Sequence, residues 1–224
     1  MLNRGFSGYN TRHALDIAPA VFKKKAHIQQ EEDTLLFCMV WFGANDAALP
    51  GNRQHVPMEE YRQNVAQILQ TVQQELTGNV PIILITPPPV HEATWFGYCQ
   101  TNFPGGTKSS DRTNESAQMY GAQVLDLVRE LSSSHRQNSS AETEANSKAL
   151  SNIYVLDAFT LLSGDSKDSS EYAKYLSDGL HLSVLGNRVM FEGLMKMIRT
   201  ELKHAAPDDD NGVPLEGSLW GTLC

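Results

Sequence analysis

Leu35-Leu36-Phe37-Cys38-Met39-Val40-Trp41-Phe42-Gly43-Ala44-Asn45-Asp46 is the stretch on which the fold turns. Leu35–Trp41 is apolar without interruption. A run this short, with no polar residue alternating through it, predicts a strand covered on both faces. Gly43-Ala44-Asn45-Asp46 then breaks it with turn-forming residues. Strands buried on both faces belong to parallel sheets flanked by helices.

Outward from this strand, apolar periodicity alternates between the two types of element. Thr11–Lys25 reads as a helix, with Ala14, Ile17, Ala18 and Val21 on one face and Pro19 weakening or kinking it. Pro57–Leu76 carries the clearest helical stripe: Tyr61, Val65, Ile68, Leu69, Val72 and Leu76. Val80–Thr86 is a second buried strand, stopped by Pro87-Pro88-Pro89, and a long polar loop is expected after it. Thr113–Leu131 reads as a helix that Thr113 or Asn114 could cap. Ser132–Ser151 is poor in apolar residues and is expected to be a flexible insertion. Ile153–Leu156 is a short strand, and Ser183–Lys203 the last helix. The tail, 205–224, contains Asp208-Asp209-Asp210 and is expected to be disordered. Such alternation predicts an α/β fold with a parallel sheet and helices on both faces. Ligands bind such sheets beyond the carboxyl ends of the strands.

Composition narrows the function. A chain of 224 residues suits one domain with a sizeable core. A net charge of −8 disfavours a nucleic-acid surface, which needs clustered Lys and Arg. The basic run Lys23-Lys24-Lys25 is short, is followed by Glu31-Glu32-Asp33 and suits a helix end. Three cysteines, Cys38, Cys99 and Cys224, make neither a disulfide framework nor a Cys-x-x-Cys site; Cys38 is expected to be a buried thiol. No apolar run approaches the roughly 18 residues of a membrane span and no leader is evident, so a cytoplasmic location without membrane contact is expected.

Three polar motifs could carry chemistry. Asp178-Gly179-Leu180-His181 can fold a carboxylate back onto an imidazole within one turn. The carboxylate then orients the ring and stabilises its protonated form, the acid/base half of a serine-hydrolase triad. Gly43-Ala44-Asn45-Asp46 places an amide donor after a buried strand, where it could meet a developing oxyanion. Arg4-Gly5-Phe6-Ser7-Gly8-Tyr9-Asn10-Thr11 opens the first helix with backbone N–H groups free to face a ligand. Taken singly, each is as well explained by a turn or a cap. Taken together, in this order and at strand ends, they are specific. His13, His27, His55, His91, His135 and His204 read as ordinary surface or loop residues.

With these motifs the chain resembles the SGNH, or GDSL-type, esterases and lipases, and within them the isoamyl acetate-hydrolysing esterase group. The resemblance runs from Leu2 to about Lys203. It rests on Arg4–Arg12 (RGFSGYNTR), Phe42–Asp46 (FGAND), His55–Asn64 (HVPMEEYRQN), Pro87–Trp95 (PPPVHEATW), Arg112–Glu115 (RTNE) and Asp178–Ser183 (DGLHLS). It implies a three-layer, flavodoxin-like α/β/α sandwich over residues 1–204. It also implies a backbone N–H of Gly8 and the side chain of Asn45 as oxyanion donors, His181 as general base, and Asp178 as its orienter. The Pro87–Trp95 loop would lie near the acyl or alcohol pocket. The implied substrate is a small-molecule ester, and no metal or organic cofactor is required.

The family opens with an apolar strand running into Gly-Asp-Ser, whose serine is the nucleophile. Here Met1 stands just before the second family block. The expectation is therefore that the first strand and the nucleophile are absent, through truncation, a shortened isoform or degeneration. The chain itself is then expected to be inactive. Gly164-Asp165-Ser166 lies in a polar loop rather than at the end of a buried strand, and reads as a decoy. Ser7 lies inside the expected oxyanion loop. Two alternatives remain: a non-catalytic relative that binds small esters, sugars or a protein partner, and a metal-dependent hydrolase using Asp46, Asp178 and His181.

Overall fold

The computed structural model describes residues 3–22, 35–76, 80–103, 109–137, 152–164, 166 and 168–202. The expected tail, His27, His204, Cys224 and the Lys23-Lys24-Lys25 and Glu31-Glu32-Asp33 runs lie outside them. Chain order is α1 (Thr11–Phe22), β1 (Cys38–Trp41), α2 (Met58–Glu75), β2 (Ile82–Ile85), α3 (Glu92–Asn102), α4 (Asn114–Gln137), β3 (Ile153–Leu156), α5 (Ala158–Ser163), α6 (Ser169–Tyr172) and α7 (Val184–Glu201). A 3₁₀ turn, Ala173–Tyr175, follows α6.

The three strands pair in parallel in the order β1-β2-β3, with Cys38 opposite Ile82 and Ile82 opposite Ile153. Side chains alternate between two cores, as the pleat requires. Cys38, Val40, Ile82, Leu84, Ile153 and Val155 face α1, α2 and α4. Met39, Trp41, Ile83, Ile85, Tyr154 and Leu156 face α5 and α7. The result is the expected three-layer α/β/α arrangement. It also explains why the strands read as unbroken apolar runs: both members of each alternating pair meet a helix. All four residues of β2 are buried, whereas β1 is mostly half-buried. β2 is flanked on both sides, while the second edge of β1 pairs with no described strand. No helix among the described residues is long and apolar enough to cross a membrane.

The helix caps settle which residue opens α4. Thr113 Oγ1 accepts from Ser116 N at 3.1 Å and so caps α4, while Asn114 Oδ1 accepts from Val90 N at 3.0 Å and ties α4 to the β2 exit. Asn10 and His13 bond reciprocally, side chain to backbone in both directions at 3.2 Å, and open α1 as a capping box does. Two expectations need correction. The polar loop after Pro89 contains helix α3, whose one buried residue is Trp95. Residues 132–137 of the expected insertion at 132–151 are helical, because α4 continues through Gln137, and 138–151 lie outside the described residues. The serines in Leu131–Gln137 continue the helix because its preceding turns are already anchored to the sheet.

Candidate active site

Asp178 and His181 meet as their spacing requires. Asp178 Oδ1 accepts from the backbone N–H of Leu180 at 2.9 Å and of His181 at 2.8 Å. Its other oxygen, Oδ2, lies 2.7 Å from His181 Nδ1. Because a carboxylate only accepts, Nδ1 carries the proton and Nε2 keeps a free lone pair. The His181 side chain is 50% exposed and that of Asp178 12%, so Nε2 is accessible while its orienter is shielded. Burial pushes the Asp178 carboxyl up, but the bonds from the His181 ring, His181 N and Leu180 N outweigh it and hold the carboxyl low.

That low value carries a sign. Asp178 stabilises the fold above the ordinary aspartate value of about 3.9, and the contribution disappears as pH falls through its lower folded value. The stability difference between wild type and Asp178→Asn, read by urea unfolding, is therefore expected to be constant near pH 5 and to close below about pH 4. A difference as wide at pH 2 as at pH 5 would contradict the assignment.

The second half of the site sits at the carboxyl end of β1. Gly8 has φ +77°, a left-handed conformation suited to glycine, and its N–H meets no acceptor among the described residues. Asn45 Nδ2 donates to Tyr9 O at 2.8 Å, which leaves its second hydrogen free. Asn45 Oδ1 accepts from Gln54 Nε2 at 3.0 Å and lies 3.4 Å from Arg112 Nη2. Gln54 Nε2 also donates to Gly8 O at 2.9 Å. Gly8 and Asn45 are thus neighbours, each with an unused N–H.

Residues without an assigned role in the sequence reading join the two halves. The Trp95 ring meets the His181 ring edge-on, with centroids 6.0 Å apart. Trp95 Nε1 donates to Asp111 Oδ1 at 2.7 Å. Asp111 Oδ2 accepts from Asn52 Nδ2 at 2.6 Å and from Arg112 Nη1 at 3.0 Å. Arg112 Nη2 donates to Gln54 Oε1 at 2.7 Å. Arg112 is buried, and that burial lowers its pKa against the opposing effect of Asp111. The RTNE stretch held the signal for Arg112, and PPPVHEATW that for Trp95. Gln54 had no sequence signal, since only the fold brings it to Asn45.

Other candidates fall elsewhere. Asp46 is fully buried, and its Oδ1 accepts from Thr11 N at 2.9 Å and from Thr11 Oγ1 at 2.5 Å. It is a structural partner of α1 rather than a neighbour of His181, which removes one ligand of the metal-hydrolase alternative. Among the described residues no three His, Cys, Asp or Glu groups are placed to share a metal ion. Ser166 Oγ accepts from Asp168 N at 3.1 Å in a local turn and has no bond to His181. Asp165 lies outside the described residues. Cys38 is half-buried, and burial pushes its thiol up to about 11.

Comparison with known proteins agrees with this geometry. The model of the GDSL-like lipase/acylhydrolase family matches residues 6–194. The isoamyl acetate-hydrolyzing esterase 1 homolog of Rattus norvegicus is 35% identical over 200 residues, covering 88% of this chain and 68% of that one. The Homo sapiens homolog is 33% identical over 204 residues, covering 90% and 69%. A GDSL esterase/lipase of Arabidopsis thaliana is 34% identical over 200 residues, covering 88% and 71%. The fold is also that of a solved Streptococcus pneumonia protein provisionally assigned as platelet activating factor. That likeness has a TM-score of 0.57 at 21% identity, covering 88% of this chain and 72% of that one. On this evidence the chain belongs to the GDSL-like lipase/acylhydrolase family.

Proposed function

We propose that this chain carries the base and the oxyanion hole of a serine esterase for small acyl esters such as isoamyl acetate. The observation that supports it best is the Asp178–His181 bond at 2.7 Å, which leaves His181 Nε2 as a free base. A serine attacks the ester carbonyl and loses its proton to Nε2. The oxyanion then meets the free N–H groups of Gly8 and Asn45. His181 returns the proton to the departing alcohol, and water, deprotonated by the same nitrogen, releases the acid.

Among the described residues no Ser, Thr or Cys side chain bonds His181 Nε2. The proposal therefore assigns the nucleophile to a Gly-Asp-Ser block of the kind the family carries ahead of the Arg4–Arg12 match. Purified by itself, the chain is expected to give no burst with an activated acetate ester and no serine labelling by a fluorophosphonate. Labelling at Ser166 would overturn this assignment. Grafting an apolar strand ending in Gly-Asp-Ser onto the amino terminus is expected to produce turnover. In that enzyme Asn45→Ala should lower kcat by about 10²–10³, the usual cost of one oxyanion donor. A folded graft that binds ester without turnover would instead favour the non-catalytic reading.

A further inference from the structure

Arg112 is 2% exposed, yet among the described residues its Nε finds no hydrogen-bond partner. A buried charge with an unsatisfied N–H costs stability that an apolar side chain would not. Its other contacts suggest what it supplies in return. Arginine can only donate hydrogen bonds. Facing Gln54 at 2.7 Å, it requires the Gln54 carbonyl oxygen on its side. The Gln54 NH₂ must then point away, where it donates to Asn45 Oδ1 and to Gly8 O. With its oxygen engaged there, the Asn45 amide must turn its NH₂ toward Tyr9 O and the open site. Amides are nearly symmetric in shape, so only such donor and acceptor logic decides which end faces a ligand.

We propose that Arg112 is a positioning residue that sets the direction of the Asn45 amide, chiefly through Gln54 and secondarily by its own 3.4 Å contact to Asn45 Oδ1, so that N–H rather than C=O faces the reacting oxygen. This rests on the proposed role of Asn45 as an oxyanion donor. Asp111 holds the guanidinium from the opposite side and carries Trp95, the neighbour of His181, on its other oxygen. The hole and the base are thereby registered to one buried cation.

The test uses the full chain, labelled with ¹⁵N and ¹³C, and reads the coupling across the hydrogen bond from Asn45 Nδ2 to the Tyr9 carbonyl. Wild type and Arg112→Lys, in which the group at 112 is still donor-only, should show it. Arg112→Met, which has no donor, should lose it. Gln54→Glu should also lose it, because an acceptor-only side chain then confronts Asn45 Oδ1 across the present 3.0 Å contact, and the longer 3.4 Å contact from Arg112 Nη2 does not offset that repulsion. Gln54 is only half-buried, so this variant keeps the test decisive even if Arg112→Met does not fold. Coupling that persists in folded Gln54→Glu overturns the proposal, as does its loss in Arg112→Lys, which would indicate general loosening. The readout needs no turnover, so it stands or falls separately from the esterase reading. In the serine-bearing graft the same Gln54→Glu change should lower kcat by about 10² with little effect on KM.

Discussion

His181→Ala, in the enzyme supplied with its serine block, should lower kcat by about 10⁴ or more, with KM nearly unchanged. The ring nitrogen lost is the proposed base, and no other described side chain hydrogen-bonds it. Asp178→Asn should cost a similar factor, of the order of 10⁴ recorded for the analogous change in a serine protease, for a reason legible in the turn. Oδ1 accepts from two backbone N–H groups, Leu180 and His181. The asparagine must put its carbonyl oxygen there, which leaves its NH₂ facing His181 Nδ1. That NH₂ can only donate, so the imidazole proton is driven to Nε2 and the base becomes a donor. Steady-state kinetics with a small acetate ester measures both variants. Asp178→Asn with wild-type kcat would remove Asp178 from the mechanism.

Gly179→Ala should be strongly destabilising. Gly179 has φ +94°, and a Cβ there would lie 2.4 Å from Trp95 N and 2.6 Å from His91 O. Both atoms are backbone at the start of α3, so no side-chain rotation relieves the contact. The left-handed conformation alone costs an alanine about 1–2 kcal/mol. Relief requires α3 to move, which breaks the 2.9 Å bond from His91 N to Gly179 O. A total of about 4 kcal/mol is expected, lowering Tm by about 10 °C in a chain of this size. Calorimetry or circular dichroism reads it directly, and a Tm within about 2 °C of wild type would refute the packing argument. Trp95 fluorescence should change as well, since α3 carries that ring against His181.

The sequence exposed the sheet because each strand is apolar on both faces, which only a doubly covered parallel sheet demands. Ile153–Leu156 matched to the residue. Leu35–Trp41 was too long by three, since the strand begins at Cys38, where pairing to β2 starts. Helix α3 was missed for a physical reason. Glu92–Asn102 buries Trp95 alone and contains Gly97, so it has neither an apolar stripe nor good intrinsic propensity. It is held at its amino-terminal end, through His91 to Gly179 and Trp95 to Asp111. Asp178 and His181 were legible because three residues separate them, and their bond is local. Gln54 and Arg112 lie 58 residues apart, and their meeting is a property of the fold.

That separation also gives the site a schedule. Tyr9 and Asn45 are 36 residues apart, Gly8 and Gln54 are 46, and the Trp95–His181 contact closes later still in the chain. Contacts this distant form late, because each must first overcome the entropy of closing its loop. During synthesis the chain emerges amino end first. The Gly8–Asn45 pair can therefore assemble on the ribosome, while His181 and α7 arrive only near the end. Whatever reaction the site performs, its base joins the oxyanion loop only after every residue up to His181 has been made.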